Sequence, residues 1–338
     1  MLLHGKHEIF LNKEKGMDKP ILVLGGSGFI GRHLLAHLEP FGCPVRTISR
    51  NYDQSRELLV LPHVRVLLGQ AHDIDMLRQA MAGVHTVINL IGILHEHRRG
   101  AFEDVHVELP RRLVRLAMES KCRRLIHISA AGAAQDAPSA YLRSKEAGEQ
   151  ACVTALEQDP SADLEVHLVR PSVVVGPDDH LIQRFLAMAR FNPMVLPLPA
   201  AQAQLAPVYV NDLVKALFQL ISNPHHHAGL SRWCFCGPQT MTLQEMVTTL
   251  LRLCNIRRRV VPMPDGMARL AATILERLPG TLLSRDNLDA LTVPSLCATN
   301  DLPRCGIPEP LAFEAVVRRH FAGHHGQRRY DGLRSMAD

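Results

Sequence analysis

Tyr141 and Lys145 stand four residues apart in SAYLRSKEAGE, a spacing that puts both side chains on one face of a helix. A phenol can give or take a proton, and a neighbouring ammonium lowers its pKa and can hold a ribose hydroxyl. Tyr-x-x-x-Lys also arises by chance as an ordinary helix pair. Its weight here comes from its place, directly after the strand-like run LIHISAAGA and well beyond a glycine-rich turn.

That turn lies in ILVLGGSGFIGRHLLAHL, where an apolar run enters Gly25, Gly28 and Gly31 and leaves with helical periodicity. Strand, glycines and helix in that order are the context a dinucleotide-binding turn needs. Gly25 permits the tight turn, Gly28 lets the backbone approach a pyrophosphate, and Gly31 lets the helix pack close to the sheet. The amides that open the helix, at Phe29, Ile30 and Gly31, then face phosphate. A glycine turn kept for packing alone is the plain alternative. The second strand, VRTISRN, ends in Ser49 and Arg50, where an NAD site carries an acidic residue. A hydroxyl and a guanidinium suit a 2′-phosphate better. Arg32 adds a second cation, and Asp53 comes late for the NAD role. NADP(H) is therefore the preferred cofactor and NAD(H) the alternative; ordinary surface positions for both arginines are the plain reading.

These residues need a scaffold, and the alternation of short apolar runs with helical patterns supplies one. Strands are predicted at Ile21–Leu24, Val45–Ser49, Val64–Leu68, Val84–Ile91, Arg124–Ser129 and Val166–Val175. Helices are predicted at Phe29–Leu38, Ile74–Ala82, Val105–Glu119 and Tyr141–Leu156. Nearly continuous apolar strands separated by helices imply a parallel sheet covered on both faces, an α/β doubly wound Rossmann-type domain over residues 19–176. Prolines then cluster and the rhythm changes, so a smaller, mixed C-terminal lobe is expected over 177–323, with room for segments that return to the main sheet. Residues 1–18 read as an extension in which Met17 could be the natural start, and 324–338 as a frayed polar tail.

The 338 residues are 46% apolar and 21% charged, an ordinary globular composition with a net charge of +5. Basic runs at Arg257–Arg259 and in the tail come without a nucleic-acid motif, so a nucleic-acid partner is not expected. The eight cysteines are scattered. Cys234 and Cys236 alternate as on a strand, and two reduced thiols fit them better than a metal site or a disulfide, which points to a reducing compartment. No metal is expected, and His225–His227 reads as a polar loop. Neither a secretory leader nor a membrane-spanning helix is apparent. In PDGMARLAATILERLPGTLL, Met267, Leu270, Ala271, Ile274, Leu275 and Leu278 share helical spacing. Such a face is usually buried in the core; docking on a membrane or a partner is the other reading.

VLGGSGFIGRHL, VINLIGIL, FEDVHVELPRRLVRLA, LIHISAAGA, SAYLRSKEAGE and LVRPSVVVGPDD together resemble the extended and atypical short-chain dehydrogenase/reductases. They resemble the branch that includes the NADPH-binding accessory subunit of respiratory complex I and its bacterial, epimerase/dehydratase-like relatives. The resemblance runs over about residues 20–321. It implies that Asp73 meets the adenine, although a helix N-cap explains that residue equally well. It further implies that Asn89 and Gly92 flank the nicotinamide ribose, and that Pro171 and Val173 line the nicotinamide side. Tyr209, Asn211 and Asp212 would lie in a segment closing over the cofactor. Active members usually bond the substrate through a Ser or Thr near the end of the preceding strand. That place falls at Ala130 or Ala131 here, with Ser129 beside it and Ser139 as a substitute.

Three functions follow from this. The first is an NADP(H) oxidoreductase acting on a bulky, quinone-related or lipid-like substrate, with Tyr141, Lys145 and Ser129 catalytic. The second is a non-catalytic NADPH-binding module of a respiratory or quinone-biosynthesis assembly. The third is a nucleotide-sugar epimerase or dehydratase. The scattered thiols and the lack of a leader suggest a cytoplasmic place, and the quinone-linked relatives one at the inner face of a membrane with respiratory or quinone-pathway proteins as partners.

Overall fold

A computed structural model of the chain describes residues 19–96, 98–191, 194–223, 227–276 and 284–322. Met17, His225, His226, Leu278 and both terminal segments lie outside them. Seven strands form one parallel sheet in the order β11-β6-β5-β4-β1-β2-β3. They are β1 (Ile21–Leu24), β2 (Val45–Ser49), β3 (Val64–Leu68), β4 (Thr86–Asn89), β5 (Arg124–Ile128), β6 (Glu165–Pro171) and β11 (Gly229–Phe235). Because every strand runs the same way, all their C-terminal ends meet at one edge, and the order reverses between β1 and β4.

On one face lie α2 (Ile74–Met81), α3 (Leu109–Glu119) and α4 (Ala140–Glu157) over Leu22, Leu24, Val87, Leu125, Val166 and Leu168. The other face carries α1 (Phe29–Leu38) and α6 (Val210–Ser222) over Val23, Ile88, Ile126, Ile128 and Val169. Strand residues of opposite parity thus feed two separate cores, as the pleat requires. The N-terminal edge is pinned by Arg124, which is buried and binds Glu165 (2.9 Å) and the carbonyls of Ile221 (2.7 Å) and Asn223 (3.1 Å).

After Pro171 the chain leaves the main sheet. Val174–Val175 (β7) pairs with Val208–Tyr209 (β10), so the run expected as one strand over Val166–Val175 is two. α5 (His180–Phe191), β8 (Val195–Leu198), β9 (Gln204–Leu205), β12 (Met241–Thr242), α7 (Leu243–Leu253), β13 (Arg259–Pro262), α8 (Asp265–Leu275), α9 (Arg285–Leu291) and α10 (Phe313–His320) complete the C-terminal half. Its β11 joins the main sheet beside β6. One cysteine reading is corrected. Cys236 is joined to Cys297 in a disulfide, so of these two cysteines Cys234 is the free thiol. The partners are separated by 61 residues, and spacing within SRWCFCGP could not reveal such a pair.

The helix expected over Val105–Glu119 is not uniform: Glu103–Glu108 is a wide π-type turn, and the regular helix starts at Leu109. Pro110 has no N–H to donate to the His106 carbonyl four residues back. That carbonyl instead abuts α4 at Gly148, where any Cβ would fall far inside van der Waals contact. Gly148→Ala is expected to cost about 2 kcal/mol through overpacking against rigid backbone. Urea unfolding reads the loss, and an unchanged midpoint would mean that α4 does not approach the turn so closely.

Candidate functional site

The glycine turn sits at the C-terminal end of β1. Gly25 is left-handed at φ +82°, and a Cβ there would lie 3.2 Å from the Ile91 amide nitrogen. The Gly28 amide donates to the Gly25 carbonyl (3.0 Å), and a Cβ on Gly31 would overlap that same carbonyl. Turn and helix are thus too close for side chains. Gly28 caps α1 without a side-chain bond, and the first turn holds no acidic residue. The amides of Phe29 and Ile30 therefore open on a positive helix end with no carboxylate to neutralise it.

At the end of β2, Ser49 is buried and its hydroxyl donates to the Asn51 carbonyl (2.9 Å). Arg50 is exposed with no ion-pair partner among the described residues, whereas Arg32 lies 3.7 Å from the exposed Glu57. Asp73 caps α2 by accepting from the amides of Asp75 (2.9 Å) and Met76 (3.2 Å).

Lys145 is brought to the ends of β4 and β5. It is buried, its Nζ donates to the Ile128 carbonyl (3.1 Å), and it lies 3.2 Å from where a Gly92 Cβ would be. Burial lowers its pKa to about 8 against the opposing pull of Glu149. Asn89 is turned inward, with Nδ2 on His127 Nδ1 (3.0 Å) and Oδ1 accepting from the Ile91 amide (3.2 Å). It shapes the strand end through the backbone. The Tyr141 phenol is pushed up to about 12 by burial, so the expectation that Lys145 lowers it is corrected: desolvation prevails.

The hydroxyls part ways. Ser129 Oγ is buried without a hydrogen-bond partner among the described residues. Ser139 is not a free substitute, because it caps α4 at Leu142 (3.3 Å) and donates to Asp286 (3.1 Å). Ala131 donates its amide to the Pro171 carbonyl (2.9 Å), and Val173 accepts from the Val208 amide (2.9 Å). Tyr209 bonds His320 (2.8 Å) and Asn211 (2.9 Å), and Asp212 accepts from the Leu311 amide (2.7 Å), so all three serve packing of α6 and α10.

Two residues were missed. His106 accepts from the Ile93 amide (3.1 Å) and bonds Ser144 Oγ (2.7 Å). It also meets the Tyr141 ring edge-on at 5.7 Å, so one imidazole ties the β4 end to the Tyr141–Lys145 face. Its only signal was a polar residue inside an apolar periodic run. Asp286, from α9, accepts from the amides of Ala140 (2.5 Å) and Tyr141 (3.1 Å). An anion is thereby set at the positive end of α4; nothing local marked it.

The glycine turn, Gly92, Lys145, Tyr141, Ser129 and Pro171 thus gather where the strand order reverses, and Ser49, Arg50 and Asp73 extend the same edge past β2 and β3. The model of the NAD dependent epimerase/dehydratase family matches residues 21–229, and the chain belongs to that family. It is similar to the mouse mitochondrial NADH dehydrogenase [ubiquinone] 1 alpha subcomplex subunit 9, 30% identical over 88% of this chain and 79% of that protein. It is also similar to a ceramide reductase of Caulobacter vibrioides, at 25% identity over 76% and 77%. Among solved structures, Citrobacter triphenylmethane reductase complexed with NADP(H) shares the fold with a TM-score of 0.69 at 16% identity, over 88% of this chain and 99% of that one. A Bacillus anthracis dTDP-glucose 4,6-dehydratase in complex with NAD does so at 0.69 and 15%, over 93% and 97%.

Burial, and then the Lys145 charge, push His106 down to about 2 and His127 to about 3 from 6.5. As pH falls below 6.5 the unfolded chain takes up protons that the fold refuses, so this stability is present above 6.5 and lost toward the folded values. His106→Gln is expected to flatten the pH dependence of urea unfolding between about pH 6 and 4 by up to about 1.4 kcal/mol per pH unit. An unchanged slope would mean that His106 is charged in the fold. Asp286→Ala removes the cap and is expected to cost about 1–2 kcal/mol. A melting temperature equal to wild type would show the cap to be idle.

Proposed function

We propose that the chain is an NADP(H)-dependent oxidoreductase acting on a quinone-related or lipid-like substrate. The observation that carries this reading is the buried Lys145 ammonium at the switch point, beside Gly92. The side-chain-free cradle at Gly25, Gly28 and Gly31, the uncapped start of α1 and the unpartnered Ser129 hydroxyl fit a dinucleotide. When bound, the nicotinamide would supply or accept hydride. The first-turn amides of α1 would hold the pyrophosphate, and Arg50, with Arg32 swung from Glu57, would hold a 2′-phosphate. Lys145 would bond the ribose hydroxyls while keeping the Ile128 carbonyl, Asp73 would reach the adenine, and Pro171 and Val173 would close the nicotinamide side. With its pKa near 12, Tyr141 would hold its proton firmly and act as a general acid toward a substrate carbonyl, with Ser129 bonding the same oxygen. The ceramide reductase resemblance supports a lipid-like substrate, and the NADH dehydrogenase resemblance supports a respiratory or quinone-pathway partner and a peripheral place at a membrane.

The high phenol pKa and the alanines at 130 and 131 favour a second reading, a module that binds NADPH without turnover. A nucleotide-sugar epimerase or dehydratase is the third reading, supported by the family model and by fold likeness. Nucleotide released from the purified protein is expected to be NADP(H). Side-by-side titrations should show NADPH preferred over NADH, and Arg50→Ala should weaken NADPH by roughly 10–100-fold, the loss of one or two charge-assisted bonds. Equal binding of NADH would overturn the Arg50 assignment. Tyr141→Phe should keep NADPH binding and abolish NADPH oxidation by a quinone analogue or a long-chain ketone. A wild type that binds but oxidises with neither supports the module.

A further inference from the structure

Helix α8 is packed the wrong way round for a core helix. At about 100° per residue its apolar sector spans more than half the circumference. Only the small residues within it, Ala268 and Ala272, are buried, against Leu288 of α9 with Ala200 and Met263 alongside. The large residues face out: Met267 is 62%, Leu270 64% and Ile274 58% exposed. The expectation that this face is buried is thus corrected. The ribbon that leads into α8 continues the pattern. Arg259 donates its amide to the carbonyl of Met194, itself 74% exposed. On β13, Arg259 and Val261 are both exposed and share one face.

The charge around this surface is one-sided. Arg257 and Arg259 are exposed, and Arg258 holds the Ala189 carbonyl (3.1 Å). The nearby carboxylates are mostly occupied: Glu276 is bound by Arg285 (3.3 Å) and Asp289 by Arg269 (2.8 Å), which leaves Asp265 at the start of α8. Protein interfaces are anchored mainly by Trp, Tyr and Arg in pockets. Among the described residues this face offers no aromatic ring, only flexible aliphatic chains beside guanidinium groups, the pattern of a helix lying in a lipid interface.

We infer that α8 and the β8–β13 ribbon form a docking surface for an anionic lipid bilayer, with Met267, Leu270 and Ile274 entering the acyl boundary and Arg257 and Arg259 meeting the headgroups. This deepens the membrane-face placement proposed above and is independent of nucleotide binding.

The test is flotation of the full chain with phosphatidylcholine vesicles, with and without phosphatidylglycerol. Binding is expected with phosphatidylglycerol and should weaken with salt. Met267→Gln/Leu270→Gln/Ile274→Gln should lower partitioning at least about tenfold. Arg257→Gln/Arg259→Gln should lower it about fivefold per arginine and only on anionic vesicles. Leu270→Trp gives a reporter that does not depend on loss: its emission should shift to the blue when anionic vesicles are added. NADPH titration and thermal melting of each variant separate loss of the lipid surface from loss of fold or of the nucleotide site. No flotation at low salt, or flotation unaffected by the triple substitution, overturns the inference. So does a wild-type dimer that the triple substitution converts to monomer, since a second copy would then cover the face.

Discussion

A buried ammonium organises this molecule. Lys145 carries its charge into the C-terminal edge of the sheet, where desolvation opposes it strongly enough to bring its pKa to about 8. Among the described residues the Ile128 carbonyl and the field of Glu149, one turn on in α4, compensate, and the first requires α4 to lie hard against β5. Glu149 is itself fully buried, and Arg170 holds both its oxygens at 2.7 Å. The chain therefore has to bring α4 close: a glycine at 148, a carbonyl freed by Pro110, an imidazole at 106 and a carboxylate at 286 all serve that approach.

The two edges of the sheet are treated differently. At the N-terminal edge Arg124, Glu165 and His167 satisfy one another, and Glu165 is held near 2 because His167 and Arg124 outweigh its own burial penalty. Toward the C-terminal edge, Thr47 Oγ1, His127 Nε2 and Ser129 Oγ are buried without partners among the described residues. Buried polar groups left unpaired are costly. Their concentration around the switch point, with the uncapped helix α1 beside them, distinguishes this edge from the fully satisfied one at the other end of the sheet.

The C-terminal half also reaches into this edge. Asp286 caps α4, Ser295 accepts the Ser172 hydroxyl at 2.6 Å just after Pro171, and Cys297 is bonded to Cys236 beyond the end of β11. The segment that follows α8 therefore braces the face where substrate would enter, and the lobe carrying the exposed helix is the one that holds the Tyr141 helix in place.

What could be read from the sequence is what short-range physics controls. β1, β2, β3 and α1 appear where alternation and the glycine turn put them, and Tyr141 and Lys145 share a helix face because a helix repeats every 3.6 residues. The parallel order also followed, since apolar strands joined by helices have few other arrangements. The tertiary structure alone decided what depends on distant partners. Asp286 capping α4, the Cys236–Cys297 pair, the break at Pro171 and the tie made by His106 all join residues that periodicity cannot relate. The same holds for the phenol of Tyr141, whose pKa is set by everything packed around it and not by the lysine four residues on. Helix α8 makes the contrast plain: its apolar pattern was legible, but whether the large or the small residues are covered depends on which neighbours arrive, and α9 brings room only for alanine.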